Sequence, residues 1–302
     1  MIETLRGLIP SILMIVSPIL ITACGGMICE RSGVVNIALE GLMGIGAFTA
    51  ASVHVLMESS CGFSIWLALL LGSIMGLLMS LIHAYASVSL NADQTISGTG
   101  INLLADGLTI FTAQILFNAD RTRPYKMGMK PGWNGIYPTA IIAVAVIIIV
   151  WFVLYRRPFG LHLRACGEHP QAAASVGINV KRIRYIAVMA SGLLAGLAGG
   201  CLVLTQTIQY TSTTINGAGF IALAAVSFGR WKPSGITGSS LLFGSAVAFS
   251  IYVVNIPFLR NLFPSEFFSL LPYVITLLAL VAFSGKNYAP AADGKPYEQA
   301  SS

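Results

Sequence analysis

The residues of this 302-residue chain that have chemistry to offer are polar side chains set inside apolar stretches, where they are costly unless they find a partner or a ligand. Asn36 and Glu40 stand four apart, a spacing that on a helix puts both on one face. Gln94 enters another apolar stretch, which also holds Ser97 and Asn102. Amides and hydroxyls donate and accept hydrogen bonds, so this set suits either a neutral, hydroxyl-rich ligand or polar contacts between helices. Phe220 and Trp231 are rings able to stack on a planar ligand, although packing is the commoner use of such rings. Bond-making chemistry has no comparable constellation. His54, His83, His162 and His169 are scattered, with no HExxH arrangement. Cys24, Cys29, Cys61, Cys166 and Cys201 show no CxxC spacing and read as small apolar fillers. No GxxxxGK[ST] loop is present, so any nucleotide-driven step needs its ATPase site on another polypeptide.

A second group lies in the polar segment from Arg164 to Asn179. Pro170 suits the first position of a helix, where its missing N–H costs nothing. Gln171, Ala172, Ala173 and Ala174 are good helix formers, and Gly177 is placed to end the helix left-handed. Gly167 and Glu168 precede it, Glu168 near the positive end of the helix dipole. The pattern predicts one two-turn helix over 168–177, too short to be stable alone. It is either an ordinary ordered loop or a peg that docks in a groove on a partner.

These groups are positioned by a chain that is 56% hydrophobic and 9% charged, with mean hydropathy +0.80. Soluble domains carry about 25% charged residues, so a bilayer must be the solvent. The expected fold is an all-α polytopic membrane protein, with room for about eight to ten spans of roughly 20 residues each. Apolar stretches fall at 8–29, 33–57, 63–90, 94–117, 137–155, 185–206, 218–229, 235–256 and 267–284. The first reads as a helix rather than a cleaved signal, because no cleavage site follows it. Gly33, Gly41, Gly44 and Gly46 interrupt the second stretch, and 218–229 is too short to cross unaided, so both are expected to be broken or re-entrant. Gly192, Gly196 and Gly200, like Gly72, Gly76 and Ser80, recur every fourth residue and mark packing seams. Residues 1–285 are expected to form the membrane domain and 286–302 a tail. A faint echo links Val35–Gly41 with Gly219–Ala225, both in interrupted stretches.

Charge sets the orientation. Arg156, Arg157, Arg164, Lys181, Arg182 and Arg184 make 156–184 the most basic connection, which the positive-inside rule places in the cytoplasm. Arg121, Arg123, Lys126 and Lys130 then lie outside and argue more weakly the other way, while Gly229–Pro233 and the tail fall inside. The net charge of +6 is thereby a topological signal and not one for nucleic acid.

The chain resembles the permease subunits of bacterial ATP-binding-cassette importers, in the nucleoside and simple-sugar branch related to branched-chain amino acid permeases. The matching runs are Glu30–Met43, Gln94–Leu104, Gly160–Glu168, Ser191–Gly200 and Gly219–Ala225. Gly229–Pro233 and Gly294–Glu298 resemble nucleoside-type members in particular, whereas Asp106 stands where an apolar residue is expected. The resemblance implies a bacterial inner-membrane protein without an ATPase site or cofactor of its own. Its partners would be an ATPase subunit, a second permease (identical or different) and an extracytoplasmic substrate-binding protein. Nucleosides would be the cargo, with simple sugars or branched-chain amino acids as alternatives. Arg164, Gly167, Glu168, Pro170, Ala172, Ala173 and Gly177 would form the coupling element that contacts the ATPase. Asn36, Glu40, Gln94, Ser97, Asn102 and Phe220 would belong to the substrate pathway. An ion-coupled secondary transporter, with Glu40 or Asp106 carrying the coupling, is the reading from another class.

Overall fold

A computed structural model describes residues 2–59, 62–132, 135–253, 270, 274–275, 277–278, 281 and 288–297. The described residues form helices and no strands: α1 (Ile2–Arg31), α2 (Leu39–Met57), α3 (Ser64–Ala84, continued by a π-helical turn at Tyr85–Ser89), α4 (Gln94–Phe117), α5 (Pro138–Arg156), α6 (Pro158–Glu168), α7 (Pro170–Ser175), α8 (Val180–Gln206), α9 (Ala218–Phe228) and α10 (Pro233–Val253). Seven of them are long and apolar enough to cross a membrane. The protein is thus an all-α, multi-pass membrane protein. The apolar stretch 267–284 lies largely outside the described residues, as do Cys61, Lys286 and Glu298.

Helix boundaries follow local chemistry. Asp93 caps α4 by accepting from Ile96 N at 2.9 Å, and Asn179 caps α8 by accepting from Arg182 N at 2.9 Å. Prolines open α5, α6 and α7. The segment 156–184 therefore holds two helices where one was expected: α6 arises because Pro158 restarts the helix directly after α5. Gly177, at φ +86°, stops α7 as anticipated.

The long helix α8 is the hub, packed on α1, α2 and α3. Its contacts are backbone to backbone. A Cβ on Gly196 would lie 2.5 Å from the Gly72 carbonyl oxygen, and one on Gly72 would lie 2.7 Å from that of Gly46. The small-residue ridges of α3 and α8 thus meet each other, as association by close approach in lipid requires.

The second apolar stretch differs from expectation. Gly41, Gly44 and Gly46 do not break it; they lie in the continuous helix α2, and Gly41 and Gly46 let Asn102 and Gly196 approach. The break is at 32–38, where Gly33 adopts φ +89°. Asn36 consequently sits before α2 and does not share a helical face with Glu40.

The contacts sort the elements into two ends. At one, Arg31 meets Glu168 (3.9 Å) and the Trp231 carbonyl (2.9 Å), and Ser89 meets Tyr185. This end carries the six basic residues of 156–184, joined by Arg31, Arg230, Lys232 and Lys295. At the other end, Glu58 accepts from the N–H groups of Lys126 (3.1 Å) and Met127 (2.8 Å). Tyr125 there donates to the Val203 and Thr207 carbonyls, and burial pushes its phenol up to about 12.

Candidate functional site

Two helices begin deep inside the bundle. Residues 32–38 turn back from the basic end, and Asn36 Nδ2 donates to Ser191 Oγ at 2.9 Å. Ser191 lies three turns into α8 and about 9 Å beyond Tyr185, where the apolar run of α8 begins, at 1.5 Å per residue, so the turn before α2 lies inside the ~30 Å hydrocarbon core. α2 then runs to the end marked by Glu58. From that same end, residues 207–217 descend in non-helical form, Asn216 (φ +49°) and Gly217 (φ +83°) turn left-handed, and α9 runs on to the basic end. With 11 residues, about 16 Å, α9 completes only half a crossing. Non-helical backbone at such depth is tolerated only against protein or water.

Glu40 joins the two starts. Its Oε1 accepts from Gly217 N and its Oε2 from Gly219 N, each at 2.7 Å. The carboxylate thus sits in the first turn of α2 and against the first N–H groups of α9, where both helix dipoles favour negative charge. Gly219 has to be glycine for this: a Cβ would lie 2.6 Å from the Glu40 backbone.

The other polar residues singled out by sequence converge on the turn before α2. Asn36 Oδ1 accepts from Ala38 N (3.1 Å), and Gln94 Oε1 accepts from Val35 N (2.7 Å). Asn102 accepts from Gly41 N (2.8 Å) and donates to the Ile37 carbonyl (3.1 Å). His83 Nε2 must donate to the Val35 carbonyl (3.1 Å), which leaves Nδ1 to accept from Ser97 at 2.9 Å. These side chains form a cradle for the re-entrant backbone, so their hydrogen-bonding capacity is largely used by the protein itself. Phe220 follows the Glu40 contact on α9 and is 49% exposed, outside the cradle.

What remains open is a cavity of about 240 Å³ between the two helix starts, with Glu40, Asp106, Tyr210, Ser212, Thr213 and Asn216 in its wall. Tyr210 is fixed by Thr109 (3.2 Å) and by Phe48, which meets its ring edge-on. Sequence reasoning missed Tyr210, Ser212, Thr213 and Asn216 because it treated 207–217 as a connection. The available signal was a hydroxyl-rich run directly before a helix too short to cross.

At the basic end, α7 presents Gln171, Ala172, Ser175 and Val176 outward, Val176 being 75% exposed. Glu168 and Gly177 are also exposed, and Arg164 and Pro170 partly so. Ala173 and Gly167 face inward. Ala173 packs in the core, and Gly167 lies against the backbone of Arg31 and Gly33. Arg164 stacks over Tyr155, 4.9 Å from the ring centre.

The pattern of a permease family, described as "Branched-chain amino acid transport system / permease component", matches residues 8–280. The chain is 43% identical to the "Guanosine ABC transporter permease protein NupQ" of Bacillus subtilis (strain 168), with 98% of each chain covered. It is 37% identical to the "Nucleoside ABC transporter permease protein NupC" of Lactococcus lactis subsp. cremoris (strain MG1363), again with 98% of each covered. A "Putative glucose ABC transporter permease protein TsgC13" of Haloferax volcanii is 29% identical, with 91% of this chain and 90% of that one covered.

Proposed function

Because the chain belongs to the permease-component family of the branched-chain amino acid transport system, we propose that it is the membrane permease subunit of an ATP-binding-cassette importer for nucleosides. Its place is the bacterial inner membrane, with the basic end in the cytoplasm. The cargo follows from the two full-length relatives named for guanosine and nucleoside transport.

One observation carries the pathway: a polar cavity placed where two helices start head to head inside an apolar bundle. Interrupted helices with polar termini at mid-depth are where transporters bind substrate. The wall supplies hydroxyls, an amide and two carboxylates. Asp106 and Glu40 are acceptors suited to the adjacent hydroxyls of a ribose ring. At about 240 Å³ the cavity is smaller than common small-molecule sites of about 300–1,000 Å³. We therefore take it as one half of a site that a second permease completes. The surface of α4 supports that arrangement. Asp106 lies in mid-span on the same outer side as Leu103 (75% exposed) and Phe111 (64%), and Gly100 and Gly107 have open space where a side chain would stand. A carboxylate facing lipid is expensive, and one facing a partner or an aqueous path is not.

Energy enters from a separate ATPase subunit, and an extracytoplasmic binding protein delivers the substrate. The exposed face of α7 is the contact for the ATPase, whose motion biases the permease through differing contacts in its two states. Uptake of labelled guanosine by vesicles containing the full importer tests the pathway. Asp106→Asn should lower uptake at least about tenfold (~1.4 kcal/mol) while the ATPase still co-purifies. Unaltered uptake by that variant would remove Asp106 and the cavity from the pathway.

A further inference from the structure

The sequence Gly294–Lys295–Pro296–Tyr297 has no part in the cavity or in α7, yet the structure fastens it firmly. Residues 288–297 lie across the basic end as a strap. Ala292 N donates to the Gly167 carbonyl (2.9 Å), and Ala291 N donates to Glu168 Oε2 (3.3 Å), so the strap grips the junction between α6 and α7. Ala292 and Tyr297 are buried, at 6% and 7% exposure. Arg184, 1% exposed near the start of α8, donates from Nη1 to the Lys295 carbonyl (3.1 Å) and lies 5.9 Å over the Tyr297 ring. Arg230 covers Tyr288 at 4.6 Å.

The strap also touches the turn that feeds α2. A Cβ on Gly33 would fall 3.1 Å from the Ala292 carbonyl oxygen and 2.7 Å from Arg184 Nη2, and one on Gly294 would lie 3.5 Å from Val35. Val35 is in turn held by Gln94 and His83, in the cradle before Glu40. A continuous chain of contacts therefore runs from the base of α7 through the strap to the start of α2. Contacts of this kind transmit displacement only if they hold their parts as one body.

We propose that Tyr288–Tyr297 is a strut that ties the α6–α7 junction to the turn at 32–38, so that a push on α7 is delivered to the entry of α2 and to the cavity. The proposal rests on the reading of α7 as the ATPase contact.

The experiment uses the reconstituted importer and reads substrate transported per ATP hydrolysed. Tyr297→Ala, which empties the socket under Arg184, should lower this ratio by about fivefold or more, the lower end of ordinary coupling between sites, while the ATPase still co-purifies. A Glu168→Cys/Ala291→Cys pair, built into the Tyr297→Ala chain with the native cysteines replaced by alanine, should on oxidation bring the ratio up to that of the same cysteine pair in a chain that keeps Tyr297, and lose it again on reduction. A wild-type ratio in Tyr297→Ala, or a closed disulfide that leaves the ratio below that matched control, would overturn the strut. Should Tyr297→Ala fail to accumulate, the chain ending at residue 287 replaces it, a low ratio supporting the strut and an unchanged one overturning it. An ATPase that does not associate with the unaltered chain would instead overturn the reading of α7.

Discussion

Replacing Glu40 by Gln separates its role as a carboxylate from its bulk. In the structure each carboxylate oxygen accepts one N–H at 2.7 Å, from Gly217 and from Gly219. Gln offers one oxygen, and its NH₂ group must point at the other N–H. A buried donor left without an acceptor costs about 1–3 kcal/mol. Losing the negative charge between two helix N-termini adds about 0.3–1 kcal/mol for each. Against this, the amide is cheaper to bury than the carboxylate. That relief offsets the lost charge, because the carboxylate is held away from water in the bundle, and the unpaired N–H remains. The net loss is about 1–3 kcal/mol. Thermal unfolding of the purified permease in detergent measures it, with an expected fall in Tm of about 2 °C or more. Glu40→Asp, one methylene shorter and able to reach only one donor, should fall between Gln and wild type. An unfolding midpoint for Glu40→Gln within about 1 °C of wild type would refute the argument that this carboxylate holds the two helix starts together.

At α7, Val176→Asp puts a charge on the most exposed apolar side chain. It should weaken ATPase co-purification about tenfold or more, ~1.4 kcal/mol, with normal membrane insertion. Ala173→Asp, a buried position, should instead impair insertion or yield. In the seam between α3 and α8, Gly196→Ala forces a Cβ to 2.5 Å from the Gly72 carbonyl and should destabilise by about 1–3 kcal/mol, measured by the same thermal assay. The strap should depend on pH. Burial pushes the Asp293 carboxyl up to about 7, opposed by the Gly294 N–H and by Arg184, with Glu30 and Cys29 of α1 also nearby. Since the docked pKa exceeds the free value of 3.8, docking is strongest below pH 3.8 and weakens as pH rises through about 7. Labelling of Ala291→Cys, divided at each pH by the rate for a free thiol of the same pKa, should therefore speed up between about pH 4 and pH 7, and Asp293→Asn should abolish that corrected slope.

The bundle was legible in the sequence because lipid imposes a simple condition: a crossing needs a long apolar run, and its ends need polar or Gly- and Pro-rich separators. The bounds of α4 and α5 follow from that condition with almost no tertiary information. The segment that holds α7 was legible for a different reason. Pro170 and Gly177 act through their own backbone geometry, so α7 is written locally. What was not legible is direction. Hydrophobicity does not say which face of α7 turns inward, so Ala173 and Val176 could not be distinguished until α7 was packed. Nor does it say whether a polar side chain serves the protein or a ligand. Asn36, Gln94 and Asn102 bond directly to one re-entrant turn, and Ser97 supports it through His83; the existence of that turn was foreseen but its backbone needs could not be counted.

Those two failures have one physical origin. A re-entrant segment must satisfy every N–H and C=O it exposes at depth, and only the folded geometry shows where those groups point. Once the cradle around Val35–Gly41 is held by side chains from α3 and α4, a second set of polar residues lines the cavity, and these are the ones the proposed pathway uses. They are Asp106 on α4 and the hydroxyls and amide of 210–216, together with the Glu40 carboxylate that already holds Gly217 and Gly219. The residues that hold the interrupted backbone and those that line the cavity are thus nearly separate sets, with Glu40 in both. A shift of the α2 entry relative to α9 would change the cavity wall and the Glu40 bonds together. That makes this carboxylate the point at which movement of the scaffold and access to the cavity are the same event.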